Sequence, residues 1–257
     1  MIVLAYPGSG VSDLQRLLDR SDALYCTAGT SILPLCEVAA AAWRRVDDRD
    51  GGLTPLAVAS IRALAGSLIS ALRARLGSGA RWCEIAFSPP AAAEAFLRVY
   101  PATKVVCLHR GCAGVVRAGV LANPWGLAGT PYAGFAPAYP ANPAATIAAY
   151  WAERTEQLLR FEEAHKGACL RVRHEDLAGE PARTSAAVFE FLGECLPPGS
   201  VLDLLPETPL PENPLPETPL PEPDEGSRAR IPAGYLPGPL LAVVNGLQER
   251  LGYPAIA

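Results

Sequence analysis

The chain has 257 residues, half of them hydrophobic, with 22 basic against 26 acidic side chains and a formal net charge of −4. That balance, with no lysine- or arginine-rich tract, excludes a broad nucleic-acid surface, and the length suits one α/β domain over residues 1–257 with a large core. Seven scattered cysteines without a Cys-x-x-Cys pair, and only three histidines, argue for reduced thiols and against a metal site, while the absence of a signal-like start and of any run of 18 apolar residues points to a cytoplasmic protein with no membrane attachment.

The first apolar run, residues 2–5, is followed by Tyr6-Pro7-Gly8-Ser9-Gly10-Val11-Ser12 and then by a helical pattern over 12–20. A strand, a glycine-rich turn and a helix start gather backbone N–H groups and the positive end of a helix dipole around one point, a geometry that binds phosphate or sulfate. The loop lacks the Gly-Lys-Ser/Thr ending of a Walker A motif, which disfavours both Mg²⁺-dependent nucleotide hydrolysis and a nucleoside kinase. Helical patterns follow over 34–46 and 55–76, then a strand over 82–87. Alternation along that strand points Glu84, Ala86 and Ser88 to one face. Glu84 is the only one of the three with base character, and a carboxylate on a buried strand is costly unless it is paired or functional. Glu37, on the preceding helical stretch, reads by itself as a helix surface charge.

After a helix over 90–99, the strand 104–109 ends on His109-Arg110. A further helix covers 114–121, and another, 143–165, carries Trp151. The strand 169–172 leads into Arg173-His174-Glu175-Asp176-Leu177, and helices are expected over 180–192 and 239–251. His109 reads as a satisfied core histidine, Trp151 as a core anchor, and Glu175-Asp176 as the organiser of a helix start. Short buried strands alternating with helices predict right-handed crossovers in a three-layer α/β/α fold with a central parallel sheet. Ligands of such folds sit at the carboxyl ends of the strands, where the loop after Tyr6, the segment 84–88, Arg110 and His174 are all expected to lie. Residues 205–223 repeat Pro-Glu-Thr/Asn-Pro-Leu and can form neither helix nor central strand; they predict a proline-rich surface loop.

Three of these segments together resemble the sulfotransferases that use 3′-phosphoadenosine 5′-phosphosulfate, and hence a fold of the P-loop nucleoside triphosphate hydrolase type. Pro7, Ser9, Gly10 and Ser12 match the family's phosphosulfate loop, with Gly8 standing where its basic residue belongs. Arg110 matches the arginine that ends a strand and grips the donor's 3′-phosphate, but Gly111, Gly114 and Ala118 replace polar residues that usually follow. Arg173 to Leu177 is similar to the family's Arg-Tyr-Glu-Asp-Leu segment, with His174 in place of the tyrosine.

The resemblance implies transfer of a sulfuryl group to a hydroxyl of a small molecule, a secondary metabolite among the candidates. The donor is then a co-substrate, and no metal, nucleic acid or membrane takes part; self-association stays open. Ser9, Gly10, Val11 and Ser12, with the Gly8 backbone, are expected to cradle the phosphosulfate. His174 is expected near the adenine, through stacking or a structural hydrogen bond, and Arg228 and Arg230 at a second clamp. Glu84 and Ser12 are the catalytic candidates, and the resemblance to sulfotransferases that place a glutamate downstream of the first loop makes Glu37 the rival base. The alternative is a degenerate protein of this fold that binds nucleotide or a partner without catalysis.

Overall fold

The structure is a computed structural model that describes residues 1–46, 52–74, 80–195 and 234–256. The proline-rich repeat at 205–223, Arg228, Arg230 and the last two residues of the helix expected over 55–76 lie outside the described residues. Two compact units are present: Met1–Arg110 with Glu153–Pro197, and Gly111–Ala152 with Pro198–Ala257.

The first unit holds a five-stranded sheet in the order β2-β3-β1-β4-β5, made of β1 (Ile2–Leu4), β2 (Leu24–Ala28), β3 (Arg81–Ala86), β4 (Val105–His109) and β5 (Cys169–Arg173). All four pairings are parallel. Ile2, Val3 and Leu4 are all buried. Successive side chains of a strand point to opposite faces, so both faces of the sheet are covered, as a parallel sheet requires. From β1 the chain runs out to β2 on one side, and from β4 to β5 on the other. The switch point therefore lies between the adjacent strands β1 and β4, where open α/β sheets place their ligands.

Helices α1 (Val11–Leu18), α2 (Ile32–Val46), α3 (Pro55–Ala74), α4 (Pro90–Val99), α7 (His174–Gly179) and α8 (Pro181–Leu192) belong to this unit. Apolar spacing explains their seating: α1 buries Leu14, Leu17 and Leu18, and α3 buries Ala57, Ile61 and Ala65 at four-residue intervals. The carboxyl end of α8 is held by Arg81, which donates to the Leu192 carbonyl at 3.0 Å, and by Lys104, which donates to that of Phe191. Cations at a helix carboxyl end also complement its dipole. Among the described residues α3 is the one helix long and apolar enough to cross a membrane, with only 17% of its apolar window buried.

The second unit holds α5 (Cys112–Ala122), a 3₁₀ turn (Ala133–Ala138), the first half of α6 (Pro143–Ala164) and α9 (Gly238–Leu251). Tyr150 lies edge-on to Tyr132 and Phe135, with ring centroids 5.0 and 5.8 Å apart, an arrangement that aromatic quadrupoles favour. The buried Gln248 amide accepts from the Cys112 N–H at 3.2 Å and donates to the Pro254 carbonyl at 2.7 Å, which joins the two ends of this unit.

The strands and helices expected from the sequence are present, with ends shifted by a few residues. Three elements are new, among them the 3₁₀ turn at Ala133–Ala138. β2 has a single buried residue, Leu24, because it is the edge strand, and α7 has only six residues. All seven cysteines are free thiols.

His109 is fully buried, as expected, and its Nε2 lies 2.7 Å from Glu162 Oε1 at the end of α6, in the first unit. Arg171 Nε donates to the other carboxylate oxygen at 2.7 Å. Burial alone would push the Glu162 carboxyl up, but the hydrogen bonds from His109 and Arg171 outweigh it and hold the group below its ordinary range. Removing one partner of such a buried pair leaves uncompensated polar groups behind. Glu162→Ala is therefore expected to cost about 3–5 kcal/mol in urea unfolding. Because the folded value is depressed, the stability contributed by Glu162 is fully present above the ordinary glutamate range and is lost as pH falls through the folded value; in Glu162→Ala this acid-side component of the unfolding profile should be missing.

Candidate functional site

The site begins where β1 runs out. Ser9 N–H donates to the Tyr6 carbonyl at 3.0 Å and closes a turn, and Asp13 N–H returns to the Gly10 carbonyl at 3.2 Å to start α1. Gly8 and Gly10 hold φ values of 84° and 82°, the left-handed region that glycine adopts without steric cost. Gly10 is the N-cap of α1 and carries no side chain to cap it, so the first N–H groups of the helix face the loop. Val11 is half-buried and Ser12 exposed on this first turn. Ser9 is fully buried, and its hydroxyl has no hydrogen-bond partner. A buried hydroxyl left unpaired costs about 1–3 kcal/mol. An orphan of this kind inside a glycine-rich loop at a helix amino end is what an anion-binding cradle looks like before its ligand arrives.

Arg110, directly after β4, reaches this loop. Its guanidinium donates to the Gly8 carbonyl at 2.9 Å, and its backbone N–H donates to the Tyr6 hydroxyl at 3.1 Å. The loop lacks a basic side chain of its own at Gly8, and the charge is delivered there from the end of β4, the third strand after β1 in sequence but its direct neighbour in the sheet. His174 opens α7 from the end of β5. Its Nε2 lies 2.9 Å from Asp13 Oδ2, and its ring fills the space beside Gly10 so closely that a Cβ there would fall 1.9 Å from the ring Cδ2. The hydrogen bond from His174 is the largest influence on Asp13 and holds its carboxyl below the ordinary range. His174 thus makes the structural hydrogen bond anticipated for it. Arg173 Nε donates to Asp176 Oδ2 at 2.7 Å, and the Asp176 carbonyl accepts from the Thr184 hydroxyl at 2.9 Å. Asp176 therefore ties the start of α7 to α8.

Gly8, Ser9, Gly10, Val11, Ser12, Arg110 and His174 are brought to one rim by the sheet. Glu84 is not among them. It lies level with Ile2, two residues below the pairing of Leu4 with Ala86, and is only 2% exposed. Thr27 Oγ1 donates to one carboxylate oxygen at 2.7 Å and the Thr30 N–H to the other at 2.9 Å. Burial pushes the Glu84 carboxyl up, against the lowering effect of these hydrogen bonds. Its visible work is to fasten the turn after β2 to the middle of the sheet. Sequence reasoning missed Tyr6 and Asp13. The only local signal for Asp13 was an acidic residue in a first helical turn, which the helix dipole explains by itself. Among the described residues, no group of three or more His, Cys, Asp or Glu side chains is placed to hold a metal ion.

Residues 1–198 match the model of the Sulfotransferase family. The chain belongs to that family. Among solved structures, the sulfotransferase domain from the curacin biosynthetic pathway superposes with a TM-score of 0.60 at 16% identity, covering 98% of this chain and 97% of that one. The sulfotransferase domain of the Synechococcus PCC 7002 olefin synthase gives 0.58 at 18% identity, covering 98% and 94%. At these identities the likeness is one of fold. No curated protein matches the chain.

Within this sulfotransferase fold, Gly10 is constrained twice, by its φ and by the His174 ring. Gly10→Ala should lower the unfolding midpoint and abolish anion binding at the loop. The double variant Gly10→Ala/His174→Ala should recover part of the stability, because it relieves the collision and leaves only the backbone strain of about 1–3 kcal/mol. Differential scanning calorimetry of the two variants beside the parent separates these contributions.

Proposed function

We propose that the protein transfers a sulfuryl group from 3′-phosphoadenosine 5′-phosphosulfate to a hydroxyl of a small molecule, without a metal. The observation that carries this reading is the unpaired, buried Ser9 hydroxyl inside a loop whose charge is supplied by Arg110. The backbone of residues 8–12 would hold the phosphosulfate, with the amino end of α1 and the Ser12 hydroxyl next to the oxygen that becomes the leaving group. The acceptor oxygen forms the new S–O bond as the bond from sulfur to the bridging phosphate oxygen breaks. The electron pair leaves on adenosine 3′,5′-bisphosphate, and the acceptor proton is released to water. Arg110 offers a planar fork of donors suited to an anion with several oxygens.

The binding-only alternative finds support in Glu84: the leading base candidate of the sequence is buried and has both oxygens engaged. Our reading gives Glu84 a positioning role and no proton. Two measurements test these assignments. In calorimetry, adenosine 3′,5′-bisphosphate should bind more tightly than AMP, and Arg110→Ala should weaken it by about 10- to 100-fold, as expected for a charge-assisted contact worth roughly 1.5–3 kcal/mol. Equal affinity for the two nucleotides would remove the donor assignment. Glu84→Gln should keep turnover within about threefold, whereas loss of a general base costs about 10²–10⁴-fold. A loss of that size with an unchanged melting profile would make Glu84 the base.

A further inference from the structure

The turn after β2 has a feature that anion binding does not use. Gly29 and Ser31 both sit at positive φ, 66° and 60°. No atom lies within 4 Å of where a Gly29 Cβ would be, so glycine is needed there only for its backbone. Ser31 has no such freedom, and a non-glycine residue in the left-handed region stores strain of a kind that concentrates at functional sites. The turn holds Thr30 with its N–H down on Glu84 at 2.9 Å. Beyond Thr30 opens a cleft of about 300 Å³ lined by Thr30, Ile32, Leu68, Ala71 and Leu72. That volume is at the lower end of small-molecule sites.

Among the described residues, the lining contains one hydroxyl and no charged group, so a charged or sugar-like body would find few partners there for its desolvation. Leu68 is 41% exposed and Leu64, one turn earlier on α3, 47%; the apolar stripe thus continues out of the cleft. The core-facing stripe of α3 is a different one, Ala57, Ile61 and Ala65. Strand register sets the cleft's distance from the anion loop. Ala28 is level with Ile85 and Leu4 with Ala86, so the turn after β2 and the loop after β1 stand at the same height, separated by β3. Two strand spacings put them about 10 Å apart.

We propose that this cleft seats the body of the acceptor, and that the acceptor is an alcohol with an uncharged, apolar aliphatic or aryl body that spans the end of β3 to bring its hydroxyl to the loop. Leu68 and Ala71 then select the acceptor, and the Glu84–Thr30 hydrogen bond keeps the cleft open. This rests on the transfer reading above but can fail separately from it.

The test uses the full chain with labelled donor and a series of ethanol, 1-butanol, 1-octanol and glycerol. Each methylene that enters an apolar site is worth about a fourfold gain, so kcat/KM should climb with chain length and be at least about 30-fold higher for 1-octanol than for 1-butanol, with glycerol no better than ethanol. Leu68→Glu and Ala71→Phe should each raise the KM for 1-octanol about tenfold or more by the same reasoning. The affinity for adenosine 3′,5′-bisphosphate should stay unchanged, because neither residue touches the loop after β1. Methyl NMR shifts of Ile32, Leu68 and Leu72 on addition of 1-octanol report on the cleft without turnover, and the Ile32 and Leu72 shifts should vanish in Leu68→Glu. A flat chain-length series, or shifts absent from the parent protein, overturns the acceptor assignment even if the nucleotide binds. Leu68→Glu that converts a dimer to a monomer with 1-octanol shifts intact gives the stripe to a second copy and also overturns it. Loss of nucleotide binding with the shifts intact removes the transfer reading and leaves the cleft as an apolar-alcohol site.

Discussion

The ring of His174 occupies the volume that any side chain at residue 10 would need, and the whole glycine-rich loop is arranged around that exclusion. Without a Cβ, residue 10 can take the left-handed backbone that turns the chain from β1 into α1 and leaves the first N–H groups of the helix uncapped. The same ring reaches Asp13 one turn later, so the end of β5 clamps both the entrance and the first turn of α1. A loop this rich in glycine would be costly to order if it stood alone, since glycine loses more freedom on folding than any other residue. Here the tertiary contact, together with the turn bond from Ser9 to Tyr6, absorbs that cost before any ligand arrives.

Charge reaches the loop by a route that neighbouring residues do not supply. Gly8 contributes only a carbonyl, and that carbonyl receives the Arg110 guanidinium, while the Tyr6 hydroxyl receives the Arg110 N–H. A cation placed this way is fixed by the sheet and not by the loop. Loop and cation can move apart only if β1 and β4 separate, and these strands are adjacent and hydrogen-bonded in the interior of the sheet. Such preorganisation favours electrostatic stabilisation of a leaving oxygen, because no reorganisation is needed at the moment of reaction.

The sequence exposed the parts of the protein whose signals are local. The buried runs at 2–5, 104–109 and 169–172 read as strands because both of their faces are covered, and the loop at residues 6–12 and the segment around His174 read as site elements because their residue types are contiguous. β2 was silent for the opposite reason: at the sheet edge, Tyr25, Cys26 and Thr27 are half-exposed, and their pattern carries neither a buried run nor a clean alternation. The pairs that shape the site are also non-local. Asp13 and His174 stand 161 residues apart, and Tyr6 and Arg110 stand 104 apart; no spacing rule reaches that far. Glu84 shows the converse limit. Its burial on a strand was legible, but whether its partners were a substrate or the protein's own Thr27 and Thr30 depended on β2, the one strand the pattern did not reveal.

A cluster of polar side chains, with His109 and Glu162 buried, stands immediately behind the site. His109 precedes Arg110 in the chain and is tied through Glu162 to Arg171 on the neighbouring strand, so the last residue of β4 is held from the core side while the next residue reaches into the loop. A rigid apolar residue at 109 would pack as well, and buried ionic groups are often no more stabilising than apolar ones of similar volume. What the polar cluster adds is direction. A hydrogen bond fixes the rotation of His109 and with it the exit of the chain from β4, whereas dispersion contacts tolerate sliding. The angle at which Arg110 leaves the sheet decides whether its guanidinium meets the Gly8 carbonyl. The stability of this corner and the geometry with which Arg110 meets the glycine-rich loop therefore depend on the same three side chains.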